Sequence, residues 1–140
     1  MRQTVLAAAL VMAACSSAQD PTRTPDAVMA EVGEELVLAV GGAARLADGF
    51  TLALIAVSED SRCPSDVQCP WEGTATLVLR VTMDGASQEL RLDTHQRREA
   101  AAGGYVVTLL NVAPTPRSTR AIEPDEYRVT LRVDVPDPAS

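Results

Sequence analysis

Apolar and polar residues alternate with a period of two along several separate stretches of the chain. Residues 74–83 and 127–135 show this pattern most clearly. Such alternation is typical of β-strands with one buried and one solvated face. The positions predicted to face inward are Ala75, Leu77, Leu79, Val81 and Met83 in the first stretch, and Tyr127, Val129, Leu131, Val133 and Val135 in the second.

Four further apolar stretches are predicted to be strands, at residues 34–40, 50–57, 88–93 and 105–112. Residues 50–57 are apolar on both faces, which predicts a central strand covered on both sides; a buried helix is the rival interpretation. Residues 95–104 are polar and rich in Ala and Gly, which predicts a loop or a single helical turn. Turn signals separate the strands, among them Asp48-Gly49 and Asp84-Gly85.

This pattern predicts an all-β fold, an antiparallel β-sandwich or small barrel of six to eight strands. At 140 residues the chain has room for one domain. We place that domain at residues 32–136. It is preceded by a polar tether with two prolines at residues 15–31 and followed by a tail at residues 137–140.

The first 14 residues contain one basic residue, Arg2, and an apolar run that is too short to span a bilayer, which predicts a signal peptide. Met12-Ala13-Ala14-Cys15 resembles the lipobox of bacterial lipoproteins, which implies lipidation of Cys15. Ser16 after the cysteine resembles the signal for outer-membrane sorting. The alternative is ordinary cleavage after Ala18 and simple secretion. The lipobox resemblance predicts a chain anchored in a bacterial cell envelope, on its periplasmic or outer face.

Charge and composition exclude several classes of function. The formal net charge of −7 argues against nucleic-acid binding and against a polybasic contact with anionic lipid. All twelve basic residues are arginines, so lysine chemistry is excluded. His95 is the single histidine and is interpreted as a solvated loop residue. Because the sequence has no nucleophile elbow, zinc-protease motif or phosphate-binding loop, we predict that the protein is not an enzyme and needs no cofactor. We also predict a monomer.

Residues 59–73 contain the most distinctive combination of residue types in the chain. They contain Cys63, Cys69 and Trp71, the single tryptophan. Two cysteines in an exported chain predict a disulfide. The plainest interpretation is that this bridge stiffens an irregular crossover and that Trp71 packs over it.

Other interpretations of this segment were weighed. Zinc lacks enough ligands, and the cysteine spacing is not that of a zinc site. Calcium remains open, with hard oxygen ligands from Glu59, Asp60, Asp66 and Glu72. A closed loop can also bind a partner, or insert residues 64–68 into the cleft of a hydrolase as an inhibitor. A redox-active pair is disfavoured because no Lys or His neighbours either cysteine.

Asp60-Ser61-Arg62-Cys63-Pro64, followed by Cys69, Trp71 and Gly73, resembles a signature of small bacterial lipoproteins and secreted proteins. The resemblance implies envelope placement and an important loop, and it supplies no catalytic residue.

Our leading hypothesis is a lipid-anchored envelope domain that acts as a non-catalytic binding or structural module with a possible protein partner. We predict that Asp60 and Arg62 pair at the base of the loop. The alternatives are a hydrolase inhibitor and a calcium-stabilised module. The residues predicted to form the binding loop are Asp60, Arg62, Pro64, Asp66 and Trp71.

Overall fold

The computed structural model describes residues 27–137, and their strands form the two layers of a β-sandwich. One layer has five strands in the order β1-β3-β4-β5-β6, and the other has four in the order β2-β9-β8-β7. The strands are β1 Val28–Met29, β2 Glu35–Ala39, β3 Ala43–Arg45, β4 Thr51–Asp60, β5 Ala75–Met83, β6 Ala86–Asp93, β7 Glu99–Ala102, β8 Tyr105–Ala113 and β9 Arg128–Asp134.

The predicted all-β fold is confirmed, and of its two forms the sandwich is found. Neighbouring strands pair antiparallel except β1 and β3, which run parallel. A 3₁₀ turn at Pro124–Glu126 is the helical element of residues 27–137. No helix in this part of the chain is long and apolar enough to span a membrane.

The core lies between the two sheets and follows the alternation seen in the sequence. In β5 the side chains of Ala75, Leu77 and Leu79 are fully buried, as are Val129, Leu131 and Val133 in β9. Val135 was predicted to face inward, and this is wrong: it is 65% exposed because β9 ends at Asp134.

Strand β4 is central in its sheet, as predicted, but the prediction that both of its faces are covered is wrong. Phe50, just before β4, and Leu52 and Leu54 within it are fully buried, whereas Ile55 on the other face is 39% exposed. A two-layer sandwich has no third layer to cover that face. The strand also continues to Asp60, past two irregularities in its pairing with β5.

The nine strands include short ones that the sequence pattern did not predict. Residues 28–29 lie in the predicted tether, yet they pair with β3, and Ala30 N–H donates to Arg45 O at 2.9 Å. Residues 99–102, predicted as loop or helical turn, form β7 against β8. Two to four residues are too few for a period of two to show.

The two ends of the sandwich differ. Gly33 N–H donates to Val133 O at 2.8 Å, so the entry to β2 lies beside the exit of β9. We call this the terminal end. At the opposite end β4 finishes, β5 begins, β8 finishes and β9 begins. The cysteine segment connects β4 to β5 there, so we call it the cysteine-loop end.

Candidate functional site at the cysteine-loop end

The predicted disulfide between Cys63 and Cys69 is present, with Cα atoms 5.9 Å apart. It closes residues 63–69 into a small ring, which we call the cysteine loop. The ring stands on an extension of the β4–β5 pair, because Ser61 N–H donates to Thr74 O at 2.8 Å and Cys63 N–H donates to Glu72 O at 2.9 Å.

Gly73 allows the two sides of this extension to approach. Its φ of +72° is a conformation that L side chains rarely adopt. A Cβ at this position would sit 1.8 Å from Ser61 O. Glycine is therefore required here for both reasons.

Asp60 and Arg62 form the predicted pair at the base of the loop. Arg62 Nε donates to Asp60 Oδ1 and Arg62 Nη2 donates to Oδ2, each at 2.8 Å. This is the two-pronged arrangement in which a guanidinium fits a carboxylate. The side chains of Arg62 and Asp60 are 15% and 13% exposed.

The same pair connects the loop to the second sheet. Arg62 Nη1 donates to Val112 O at 2.7 Å, and Nη2 donates to Pro114 O at 3.1 Å. Tyr127 Oη donates to Asp60 Oδ2 at 2.9 Å. The guanidinium and the carboxylate thus join β4 to the end of β8 and the start of β9.

These contacts shift two pKa values. Burial raises the pKa of Asp60, but hydrogen bonds from Arg62 and Tyr127 and the charge of Arg62 outweigh it, so the net pKa is lowered. Burial, followed by the hydrogen bond to Asp60 and its negative charge, raises the pKa of Tyr127 to about 12. Asp60 is therefore held as a carboxylate, and Tyr127 keeps its proton well above neutral pH.

The cysteine loop also lies against residues 116–118. Ser65 N–H donates to Pro116 O at 2.9 Å. Ser118 N–H donates to Asp66 Oδ1 at 2.9 Å, and the Ser118 hydroxyl contacts Oδ2. The hydrogen bonds from Ser118 lower the pKa of Asp66. The loop is therefore fixed at its middle as well as at its base.

The interpretation that Trp71 packs over the disulfide is wrong. Its side chain is 77% exposed, and Val67 in the cysteine loop is 44% exposed. Arg62, rather than the indole, makes the contacts between the base of the loop and the segment at the end of β8. Pro64, also predicted to belong to the contact surface, is half-buried.

A cleft of about 280 Å³ lies beside the base of the loop. We call it the polar cleft. Glu72 and His95 face each other across part of it, with Glu72 Oε2 4.0 Å from His95 Nδ1. Its lining consists of Arg62, Cys63, Glu72, Gly73, Thr94, His95, Arg98, Asn111, Val112, Thr115 and Pro116.

The four carboxylates considered as calcium ligands do not come together. Asp60 is paired with Arg62, Asp66 is bonded to Ser118, Glu72 lies at the polar cleft, and Glu59 is an exposed residue of β4. Within residues 27–137, no group of three or more His, Cys, Asp or Glu side chains is placed to hold a metal ion.

Sequence reasoning missed the residues that reach this end from distant strands. Tyr127 is 67 positions from Asp60, and Ser118 is 52 positions from Asp66. Arg98 and Asn111 of the polar cleft carried no motif. The available signal was weak: Tyr127 begins a predicted strand, where its ring is buried and its hydroxyl can reach a polar partner.

Comparison of the chain with protein-family models, curated proteins and solved structures finds no match. The functional argument therefore depends on the geometry of the cysteine-loop end.

Proposed function

We propose that this protein is a lipid-anchored domain of a bacterial cell envelope that acts as a non-catalytic binding module, with the cysteine loop and Trp71 as its contact surface. The observation that carries the proposal is the exposure of Trp71, whose side chain is 77% accessible. Tryptophan supplies a large contact area and is enriched among the residues that dominate binding energies.

The contact surface is preorganised, which favours binding. The disulfide, the Asp60–Arg62 pair and the Asp66–Ser118 contact hold the segment before any partner arrives. A partner therefore gains contact area without the cost of ordering a mobile loop. A structural role alone would not require an exposed indole on so restrained a segment.

The polarity of the sandwich also supports this function. Residues 28–29 pair with the part of β3 that lies beside the first residues of β4, so they lie near the terminal end, and the cysteine loop lies at the opposite end. A lipid on Cys15 would lie 12 residues before residue 27, at most about 40 Å of extended chain. An anchored domain can thus present the cysteine loop away from its membrane.

The inhibitor alternative has less support from the geometry. An inserted segment needs free backbone groups and side chains at its tip. Here Ser65 and Asp66 are already bonded to residues 116–118, so the middle of the loop lies along the domain rather than projecting from it.

Site-specific photocrosslinking in the native bacterium tests the proposal. A photoreactive amino acid replaces Val67 in the cysteine loop; in a matched control it replaces Ser87, which is also exposed but lies at the terminal end. We expect a discrete crosslinked species from position 67 and none from position 87. Equal labelling from both positions, or none from position 67, would contradict the proposal.

A further inference from the structure

An open groove runs along one side of the sandwich, between the two sheets. β1 is an edge strand of one sheet and β2 is an edge strand of the other, and within residues 27–137 each pairs with one neighbour. A cavity of about 380 Å³ lies between them, lined by residues 28–31, residues 34–38 and Ala44. We call it the edge groove. It shares no lining residue with the cysteine loop, so its occupant goes beyond the proposed function.

The edge groove exposes apolar side chains. Val28, Met29 and Val37 line it, and each is more than half exposed. Leu38 and Ala44, which belong to the buried core, lie at its base. Three of the eight exposed large hydrophobic residues in the described part of the chain are thus gathered in one concave place. Such a grouping is typical of an interaction surface, whereas single apolar residues scattered over a surface are not.

The backbone of β2 can accept a further strand. Edge strands are commonly protected by charged side chains, which discourage such pairing. The longest edge strand, β6, is protected in this way, because Glu89 and Arg91 are exposed near its middle. At the middle of β2 stands Val37, which is exposed and uncharged. An extended segment can therefore pair with β2 and place alternate side chains in the apolar groove.

The rim of the edge groove is negatively charged. Glu31, Glu34 and Glu35 line it, and all three are exposed. No basic side chain of residues 27–137 lines it, and Arg132, which stands opposite Glu35 in β9, is paired with Asp134. A segment that matches the groove therefore combines apolar side chains with basic ones.

Two other occupants match this chemistry less well. A second copy of the chain would add its own three carboxylates to those at the rim, and like charges repel. The chain's own residues 16–26 contain Pro21 and Pro25, which have no backbone N–H to donate to a strand. Their two aspartates also outnumber their one basic residue, Arg23. Neither is a suitable partner for an acidic strand edge.

We infer that the edge groove binds an extended segment of another protein in which basic and apolar residues alternate. The segment pairs with β2 as an additional edge strand. Its apolar side chains lie in the groove, and its basic side chains reach the carboxylates of the rim. Because β2 has five residues, the contact area is small, and the binding is of the weak, transient kind.

Synthetic peptides of about nine residues test this inference, since that length exceeds the five residues of β2. The probe alternates valine and arginine. One counterpart alternates valine and glutamate, and another is the probe with two adjacent prolines at its centre. One of those prolines must face β2, where it removes a backbone donor from the pairing.

Calorimetric titration of the exported protein measures the affinities. We expect saturable binding of the probe and none of the glutamate peptide. The peptide with two prolines should bind at least about tenfold more weakly than the probe. Binding of the probe should weaken as salt rises from about 0.05 to about 0.5 M, because salt screens exposed charges.

Variants locate the site. Val37→Arg should weaken binding of the probe at least about tenfold, because it places a like charge at the middle of β2. Ile55→Arg is the matched control, since Ile55 is also an exposed apolar strand residue but does not line the groove. Glu34→Gln should weaken binding about threefold at low salt, whereas Glu89→Gln, outside the groove, should not. Unchanged thermal unfolding of the four variants would show that the fold is intact.

Three results with the peptides would overturn the inference. They are equal affinity for the probe and the two-proline peptide, full affinity in Val37→Arg, and equal weakening by Glu34→Gln and Glu89→Gln. The last result would mean that the peptide follows the overall charge of the chain rather than the groove.

The other occupants are separate outcomes, and either would also overturn the inference. A dimer in sedimentation equilibrium that Val37→Arg dissociates would place a second copy in the groove. Tighter binding of the probe in Arg23→Ser would place residues 16–26 there. Crosslinking from position 67 reports on the cysteine loop, so the proposed function is tested independently of these results.

Discussion

At the scale of single residues, the side chain of Arg62 donates four hydrogen bonds at the cysteine-loop end. It pairs with Asp60 and donates to the carbonyls of Val112 and Pro114. Its removal leaves a largely buried carboxylate and two carbonyls without their donor. The pair therefore holds the end of β4 against the end of β8, so its loss should destabilise both sheets.

We predict that Arg62→Met lowers the free energy of unfolding by about 2–4 kcal/mol, because breaking a buried ion pair leaves an uncompensated charge. Urea unfolding measures the change. Arg132→Met is the matched control: Arg132 also pairs with an aspartate two positions away, Asp134, but both side chains are over 30% exposed. Exposed pairs contribute little, so the control should be close to wild type. Equal losses in the two variants would contradict this account of Arg62.

Tyr127 gives a prediction in alkaline solution. Its pKa is raised to about 12 in the folded protein, against about 10 when unfolded. Its contribution to stability is therefore complete below pH 10 and is lost as pH rises towards 12. In Tyr105→Phe, where Tyr127 is the remaining tyrosine, tyrosinate absorbance should titrate near pH 12 in buffer and near pH 10 in urea. A midpoint near 10 in the folded protein would contradict both the burial of Tyr127 and its hydrogen bond to Asp60.

The sequence showed part of this arrangement. Asp60 and Arg62 are two positions apart, so in an extended chain they lie on one side, and their pairing was predictable. Their partners were not, because Tyr127 and Val112 come from strands paired in the other sheet. Nor could the exposure of Trp71 be predicted from its sequence neighbours, since it depends on how the segment is placed on the folded domain.

At the scale of elements, the crossover from β4 to β5 is shaped by Gly73. We predict that Gly73→Ala costs about 2–4 kcal/mol of stability, from its positive φ and from the overlap with Ser61 O together. Gly49→Ala is the matched comparison, because Gly49 also has a positive φ but a Cβ there would meet nothing within 4 Å. It should cost about 1 kcal/mol in the same urea titration. Similar losses at both positions would show that the close approach at Gly73 is not important.

The disulfide is a second feature of this crossover. Because it closes only a short loop, replacing both Cys63 and Cys69 by Ala should lower the free energy of unfolding by about 2 kcal/mol and leave cooperative unfolding intact. Wild-type protein treated with a reductant should unfold at the same denaturant concentration as the double variant. Loss of a cooperative transition in either sample would mean that the core depends on the bridge.

Long elements were predictable and short ones were not. Strands β5 and β9 have seven or more residues, so their alternation is visible in the sequence, and their buried faces were predicted nearly correctly. Strands β1, β3 and β7 have two to four residues and exist because longer neighbours offer free hydrogen-bonding groups. The irregular pairing of β4 also could not be anticipated, since it is a property of two strands together.

At the scale of the whole molecule, the fold is a sandwich rather than a barrel because the strands form two separate sheets, each with its own edge strands. That choice depends on long-range pairing, such as β2 with β9, which the local pattern does not specify. The proposed lipid anchor, by contrast, is inferred from local sequence alone, and Cys15 lies outside the described residues.

We predict that Cys15→Ser abolishes incorporation of a fatty-acid analogue and moves the protein from the detergent phase to the aqueous phase after phase separation. A lipid anchor binds through its buried methylenes, about 0.8 kcal/mol each, so its loss should be decisive. Cleavage after Ala18 would instead give an unlabelled, aqueous protein in the wild type as well.

The adjacency of Gly33 and Val133 has a practical consequence for locating the protein in cells. Because β9 ends beside Gly33 at the terminal end, a fluorescent protein fused after Ser140 would follow a strand that finishes at the end opposite the cysteine loop. Such a fusion should leave the opposite pole of the sandwich unobstructed. The same label inserted between β4 and β5 would obstruct it, so comparing the two placements would separate the cellular location of the protein from binding through the cysteine loop.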